Sequence, residues 1–182
     1  ITDEKWIKGL YPPLIPDHGK MMHTYFIRIP KLDAFSHIHP VSIDKNQNTF
    51  QVIVPPLPGG NYVLFVDITH ENGFAQTLVD TVFVPEFSGI EYLENLNIGR
   101  DSDDSWMMGS SLSKLGLDSV VRVSDLVNKN YLLEWVNLPD RIIVGEEVKL
   151  SFQVTNIAGG HLSLEPYMGM LSHAGILKTD GS

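Results

Sequence analysis

The chain has 182 residues, 43% hydrophobic and 19% charged, enough apolar material for a real core in one large domain or two small ones. Its formal net charge of −9, with no basic run, argues against nucleic acid as a partner, because phosphate backbones are bound by clustered Lys and Arg. With no cysteine, disulfides, thiolate zinc sites, iron–sulfur clusters and Cys-ligated blue copper are excluded.

No apolar run approaches the ~18 residues of a membrane span. The chain starts at Ile1 without Met or a signal peptide and reads as a mature or trimmed form. Residues 21–29 (MMHTYFIRI) have the aromatic and β-branched character of a strand. Pro30 to Asp33 reads as a turn, Ala34 to Val41 as a second strand, Asp44 to Asn48 as a polar turn and Thr49 to Val54 as a third strand. PPLPGGN at 55–61 cannot continue a ladder. Tyr62 to Thr69 and Ala75 to Val84 then form strands about the turn His70-Glu71-Asn72-Gly73. Short strands with turns at this spacing predict an all-β, antiparallel, immunoglobulin-like sandwich over residues 1–86.

Residues 87–130 differ, with the acidic knot Asp101-Ser102-Asp103-Asp104, Ser/Gly stretches and a short helix expected over Val120 to Val127. They are expected to be a linker or surface excursion. Strand signals return at Tyr131–Val136, Arg141–Val144, Glu147–Thr155, His161–Leu164 and Ala174–Lys178. Residues 131–182 make too small a set for a sandwich, so a second, incomplete β unit is expected. An internal echo links GKMMHTYFIRIP around His23 with YMGMLSHAGILKTDG around His173.

Five of the seven histidines fall in the first 70 residues, and His37-Ile38-His39-Pro40 forms an H-x-H. On a strand, residues i and i+2 share a face with Cα atoms about 7 Å apart. Two imidazoles so placed can converge on one ion at the Zn–N distance of ~2.0–2.1 Å. His23 begins a strand with an odd-numbered apolar face of Tyr25, Ile27 and Ile29, and His70 ends the stripe Tyr62, Leu64, Val66, Ile68. A hairpin loop of three or five residues puts His23 and His39 on one face, and a four-residue loop separates them. The expected ligands are His23, His37, His39 and His70, with His18 and Met21 in reserve. Imidazole suits copper and zinc alike, and neighbouring thioether leans toward copper.

No catalytic signature is present: H-E-x-x-H, G-x-S-x-G, the P-loop and G-x-G-x-x-G are all missing. Asp103 and Asp104 lack the spacing of a calcium loop and read as solvated.

The segments DHGKMMHTYFIR (17–28), LDAFSHIHP (32–40), PLPGGNYVLFVDITHENGFAQTL (56–78) and LEPYMGMLSHAGILKTDGS (164–182) cover about a third of the chain. They resemble a family of exported, histidine-rich bacterial proteins often met beside heavy-metal or copper-handling genes. The resemblance implies a periplasmic or surface location and metal handling, with an ion and another envelope protein as partners. In such proteins the segment resembling 167–182 runs on into a strand ending in another H-x-H-P, so a second site on His173 is expected to be incomplete here. Two other readings compete: a structural or interaction module with incidental histidines, and a metalloenzyme with three His ligands and an open position.

Overall fold

The computed structural model describes residues 3–45, 48–86, 101–108, 131–137, 139, 141–156, 158 and 162–172, with the backbone alone over 131–135. The chain divides into two compact units, 1–108 with 166–182 and 109–165. The described elements are strands, all paired antiparallel, with one short helix, α1 (Glu4–Ile7), capped by Asp3 through Trp6 N at 2.9 Å. Among the described residues no helix is long and apolar enough to cross a membrane.

The first unit is built on β6 (Gly60–His70), which carries neighbours on both edges. On one edge it pairs with β7 (Ala75–Val84) along its whole length, Gly60 opposite Val84 and Thr69 opposite Ala75. On the other edge it pairs with β2 (His23–Ile29), from His23↔Asp67 to Ile29↔Asn61, and beyond that with β1 (Leu14–Ile15). The sheet continues through β3 (Ala34–Ile38) to β8 (Ser105–Met108). A small ribbon joins β4 (Val41–Ser42) and β5 (Phe50–Gln51). Asp44 holds the turn between them, its carboxylate accepting from the amides of Asn48 and Thr49.

The β2–β3 hairpin settles the faces. Its pairs are Thr24↔Ile38, Tyr25↔His37, Phe26↔Ser36 and Ile27↔Phe35. The last pair encloses seven residues, 28–34, an odd number, so odd positions lie opposite odd positions. Leu32, in the left-handed region at φ 51°, tightens the turn by donating its amide to the Arg28 carbonyl at 2.8 Å. The Arg28 guanidinium reaches Asp33 at 3.2 Å.

The even-numbered face is the core. Phe26, Ala34, Ile38, Leu57 and Tyr62 form one buried cluster, with Val52, Val54, Leu64, Val84 and Trp106 packed against it. A second cluster joins Met22, Ile68 and Leu14 to Trp6 of α1. The 55–61 connection contributes as well: Leu57 is buried and the Tyr62 hydroxyl donates to the Pro58 carbonyl at 2.7 Å. The odd-numbered positions that read as a core-facing stripe, Tyr25, Ile27 and Ile29, are on the opposite, half-buried face. Alternation gives two faces but does not say which is covered.

Two expectations for the later chain need correction. Residues 105–108 are not part of a linker: β8 pairs with β3, Phe35 opposite Met107 and His37 opposite Ser105. In the second unit β9 (Tyr131–Asn137) pairs with β10 (Ser151–Asn156), but 141–144 and 162–164 form no strand. Gly145, at φ 87°, and a Glu146 N to Ile143 O bond of 3.2 Å make 143–146 a turn instead. The helix expected over 120–127 and the strand expected over 174–178 lie outside the described residues, as do His161 and His173.

The internal echo has a structural counterpart within the first unit. Asp17–Lys20 and Tyr167–Met170 each close a two-residue turn by paired backbone bonds, with His18 and Gly19 at φ 48° and 81° and Met168 and Gly169 at φ 52° and 79°. Both central residues at positive φ give the primed type of tight turn. Each turn lies in the same pattern, L-x-P-x-x-G-x-x-x-H, at Leu14 to His23 and at Leu164 to His173.

Ile38 is fully buried in the core, on the face opposite the two histidines that flank it in sequence. We expect Ile38→Ala to destabilise the first unit by about 2–5 kcal/mol, read as a lowered urea midpoint.

Candidate metal centre

His23, His37 and His39 come together because the register makes them neighbours. His37 lies opposite Tyr25, and His39, one pleat further, lies beside His23 on the same face. The ring centroids are 5.3 Å apart for His23–His37, 5.1 Å for His23–His39 and 4.6 Å for His37–His39. All three are buried, and one ligand nitrogen from each falls within 4.8 Å of the others. This cluster can hold a metal ion.

Each ring is oriented by a different partner on its outer nitrogen. His39 Nδ1 lies 2.9 Å from Asp104 Oδ1, and the same oxygen accepts the His39 backbone amide at 2.9 Å. His37 Nδ1 lies 3.0 Å from the Tyr167 hydroxyl, which donates to the Asp103 carbonyl at 2.6 Å. His23 Nε2 lies 3.0 Å from the Asp17 carbonyl.

These partners fix the tautomers. A carboxylate and a carbonyl only accept, so His39 Nδ1 and His23 Nε2 carry protons. The Tyr167 hydroxyl has spent its proton on Asp103, so it accepts from His37 Nδ1. In neutral imidazoles the remaining nitrogens, His23 Nδ1, His37 Nε2 and His39 Nε2, are then lone pairs. The first two face one another at 3.1 Å, and His39 Nε2, although buried, has no hydrogen-bond partner.

Such an arrangement is costly when empty. A buried polar atom without a partner loses about 1–3 kcal/mol, and two facing lone pairs repel. A proton shared between His23 and His37 relieves one contact and leaves His39 Nε2 unpaired. A cation accepted by all three nitrogens relieves everything at once. The 3.1 Å between His23 Nδ1 and His37 Nε2 is close to the roughly 3.3 Å that two 2.0–2.1 Å bonds make at a tetrahedral angle.

Electrostatics favour the ligand form. Burial holds the His39 pKa below its ordinary value and the neighbouring His23 lowers it further, while the hydrogen bond to Asp104 opposes both without prevailing. The His39–Asp104 contact at neutral pH is therefore a neutral imidazole donating to a carboxylate. Burial raises the Tyr167 pKa, with Ser105 opposing and the charges of Asp103 and Asp104 adding, so the phenol keeps its proton.

The acidic knot read as a solvated loop is instead the support of this site. Asp104 is almost completely buried beside His39. Lys20 clasps the segment, reaching Asp101 at 2.5 Å and Asp103 at 2.9 Å. Burial works against charge on Lys20, but the hydrogen bonds to both carboxylates outweigh it and raise its pKa. Burial likewise pushes Asp101 up, and the Lys20 hydrogen bond with the Asp103 amide more than offsets this and lowers it.

The other expected ligands fall elsewhere. His70, an even-numbered residue on β6, is on the face opposite to His23. It is fully buried rather than a surface turn residue, packed among Trp6, Tyr11 and Phe74, with its Nδ1 donating to the Pro12 carbonyl at 2.8 Å. It anchors the N-terminal segment and does not join the triad. Met21 packs against the Trp6 cluster and Met22 is inside it. His18 is exposed on the 17–20 turn, its ring centroid 6.3 Å from that of His23. Asp104, Tyr167 and the Asp17 carbonyl, which orient the three rings, were not foreseen.

Two outcomes follow from these contacts. We expect Asp104→Asn, which keeps an acceptor but removes the charge, to weaken metal affinity about 10–100-fold in a chelator competition assay, the range seen when support of a ligating histidine is lost. We also expect Lys20→Met to lose stability in a pH-dependent way. Asp101, depressed below its ordinary 3.8, stabilises the fold above that pH and ceases to as pH falls through its folded value. Lys20, raised above 10.5, contributes below that pH and loses its contribution as pH rises further. The gap in unfolding free energy between wild type and Lys20→Met is therefore widest from about pH 5 to 9 and shrinks at both extremes, as urea titrations across pH will read.

No protein-family model, curated protein or solved structure matches this chain.

Proposed function

We propose that this protein binds a transition-metal ion, copper or zinc, through His23, His37 and His39, and that it sequesters the ion or passes it on outside the cytoplasm. The observation that carries this reading is the convergence of three inward lone pairs, with His39 Nε2 buried and unpartnered, while every outer nitrogen is held by an acceptor. Outer acceptors of this kind are what orient metal-bound histidines elsewhere.

The donor set bears on the metal. Three neutral imidazoles with no thiolate suit Zn(II) and Cu(II). Met21, which would favour Cu(I), is engaged with the Trp6 cluster, so the lean toward thioether-assisted copper loses its support. The extracytoplasmic setting rests on the resemblance of the four quoted segments to exported proteins. We propose too that the sheet belongs to an immunoglobulin-like sandwich, its second layer begun by Val52, Val54 and Leu57 over Phe26 and Tyr62.

The decisive experiment is calorimetric titration of protein without a polyhistidine tag. The wild type is expected to take up Zn(II) or Cu(II), and the double variant His37→Ala, His39→Ala to lose that binding while keeping its strand signature by circular dichroism. Unchanged affinity in the double variant sinks the proposal. Free metal at a hundred times its dissociation constant should also add about 2.7 kcal/mol to wild-type stability, some 5–10 °C in melting temperature, and leave the variant unmoved.

A further inference from the structure

Building on the metal-binding reading above, we propose that Asp17, His18 and His23 form an outer receiving site through which a divalent metal ion reaches the buried triad, with His23 serving both sites in turn.

The buried cluster poses a problem of access. Its rings are almost wholly removed from solvent, and a hydrated ion stripped of its water in one step meets a large desolvation cost. Exchanging waters one at a time for protein ligands avoids that step. The ligand atoms of Asp17, His18 and His23 lie within 4.8 Å of one another, and of the three only His23 is buried. The two candidate sites therefore share one residue, with the outer one facing solvent and the inner one closed.

The two nitrogens of His23 divide between them. Nδ1 faces His37 in the triad, and Nε2 faces the Asp17 carbonyl at the foot of the outer turn. An ion held by the Asp17 carboxylate and the His18 imidazole thus sits at the edge of a ring whose far side already belongs to the final site. The turn is a stiff platform: Asp17 and Lys20 are tied by backbone bonds of 2.8 and 2.9 Å, and His18 sits in the left-handed region at φ 48°.

A cleft of about 250 Å³ reaches the same place, its wall including Asp17, Met21, His23 and Asp67. Lys20 also borders it, but its ammonium is taken up by Asp101 and Asp103, so the charge presented to an approaching cation is that of the two carboxylates. The transfer is a ligand exchange without redox change. The ion leaves the Asp17 carboxylate and His18 imidazole as it gains His37 and His39. The His23 proton, on Nδ1 and donated to His37 while Nε2 holds the ion, returns to Nε2 and the Asp17 carbonyl as Nδ1 takes the ion, so no net proton is released.

The test separates the path from the destination. Wild type and His18→Asn would be mixed with Co(II) in a stopped-flow spectrometer, loading followed by the visible absorption of the bound ion and release followed after adding excess chelator. Asn tolerates the left-handed turn, so the fold is kept while the imidazole is removed. The expected result is an unchanged dissociation constant with loading and release both slowed about tenfold, since an equilibrium that does not move requires both rates to fall together. Asp17→Asn, which keeps the carbonyl contact to His23, should act in the same direction. Wild-type rates in both variants overturn the proposal. So does an affinity loss in His18→Asn as large as that of the His37→Ala, His39→Ala pair, which makes His18 a ligand of the final site. A wild type that binds no Co(II), Zn(II) or Cu(II) fails differently, because then the metal reading itself falls.

Discussion

The pairing of Tyr25 with His37 is the constraint on which the site depends. Strand side chains alternate, so one shift of register sends His23 and the H-x-H to opposite faces. The odd count of residues enclosed by Ile27 and Phe35 prevents this, with Leu32 in the left-handed region tightening the turn. The even face of the same hairpin then carries Phe26, Ala34 and Ile38 into the core. A slipped register would expose these residues as it scattered the histidines. Apolar burial thus enforces a polar geometry on the other side of the sheet, and the site inherits its precision from the core.

That polar geometry is supported by chain segments distant in sequence. Asp104 arrives because β8 extends the sheet beside β3, and Tyr167 arrives on the second of two matching turns. The Lys20 clasp and the Asp103 carbonyl bind these segments into one network: Lys20 holds the 101–103 stretch, Asp103 receives Tyr167, and Tyr167 receives His37. Loosening one member tilts a ring and not just a surface loop. Burial keeps His39 neutral against the pull of Asp104, while the network supplies the acceptors that orient the ring N–H groups.

Much of the frame was legible in the sequence. The β7 boundaries fall where the pattern put them, at Ala75 and Val84, and the strand at 60–70 and the one at 23–29 follow the β-branched and aromatic runs. The gathering of His37 and His39 on one face followed from their spacing alone. What periodicity cannot provide is the identity of the covered face. His70 was grouped with His23 because each ends an apolar stripe, yet one stripe is the core and the other its reverse. The acidic knot was misread for a related reason: a run of Asp reads as solvated unless its partners are known, and here they are Lys20 and His39, more than sixty residues away. Tyr167 left only one trace, its place in the repeated L-x-P-x-x-G-x-x-x-H pattern.

That repeat supports two of the three rings. In the first copy the turn residue Asp17 offers its carbonyl to His23 six residues on, within the same repeat. In the second copy the equivalent residue, Tyr167, crosses to His37 of the first hairpin. The same turn thus supplies an acceptor to the triad twice, once locally and once from a segment 130 residues away. A backbone carbonyl suffices where the turn and the ring are adjacent in sequence, because the turn fixes its direction. Where the contact is long-range only a side chain reaches, and a phenol can take the proton from His37 while giving its own to Asp103. The difference between Asp17 and Tyr167 at matching turn positions thus follows the distance each contact has to span.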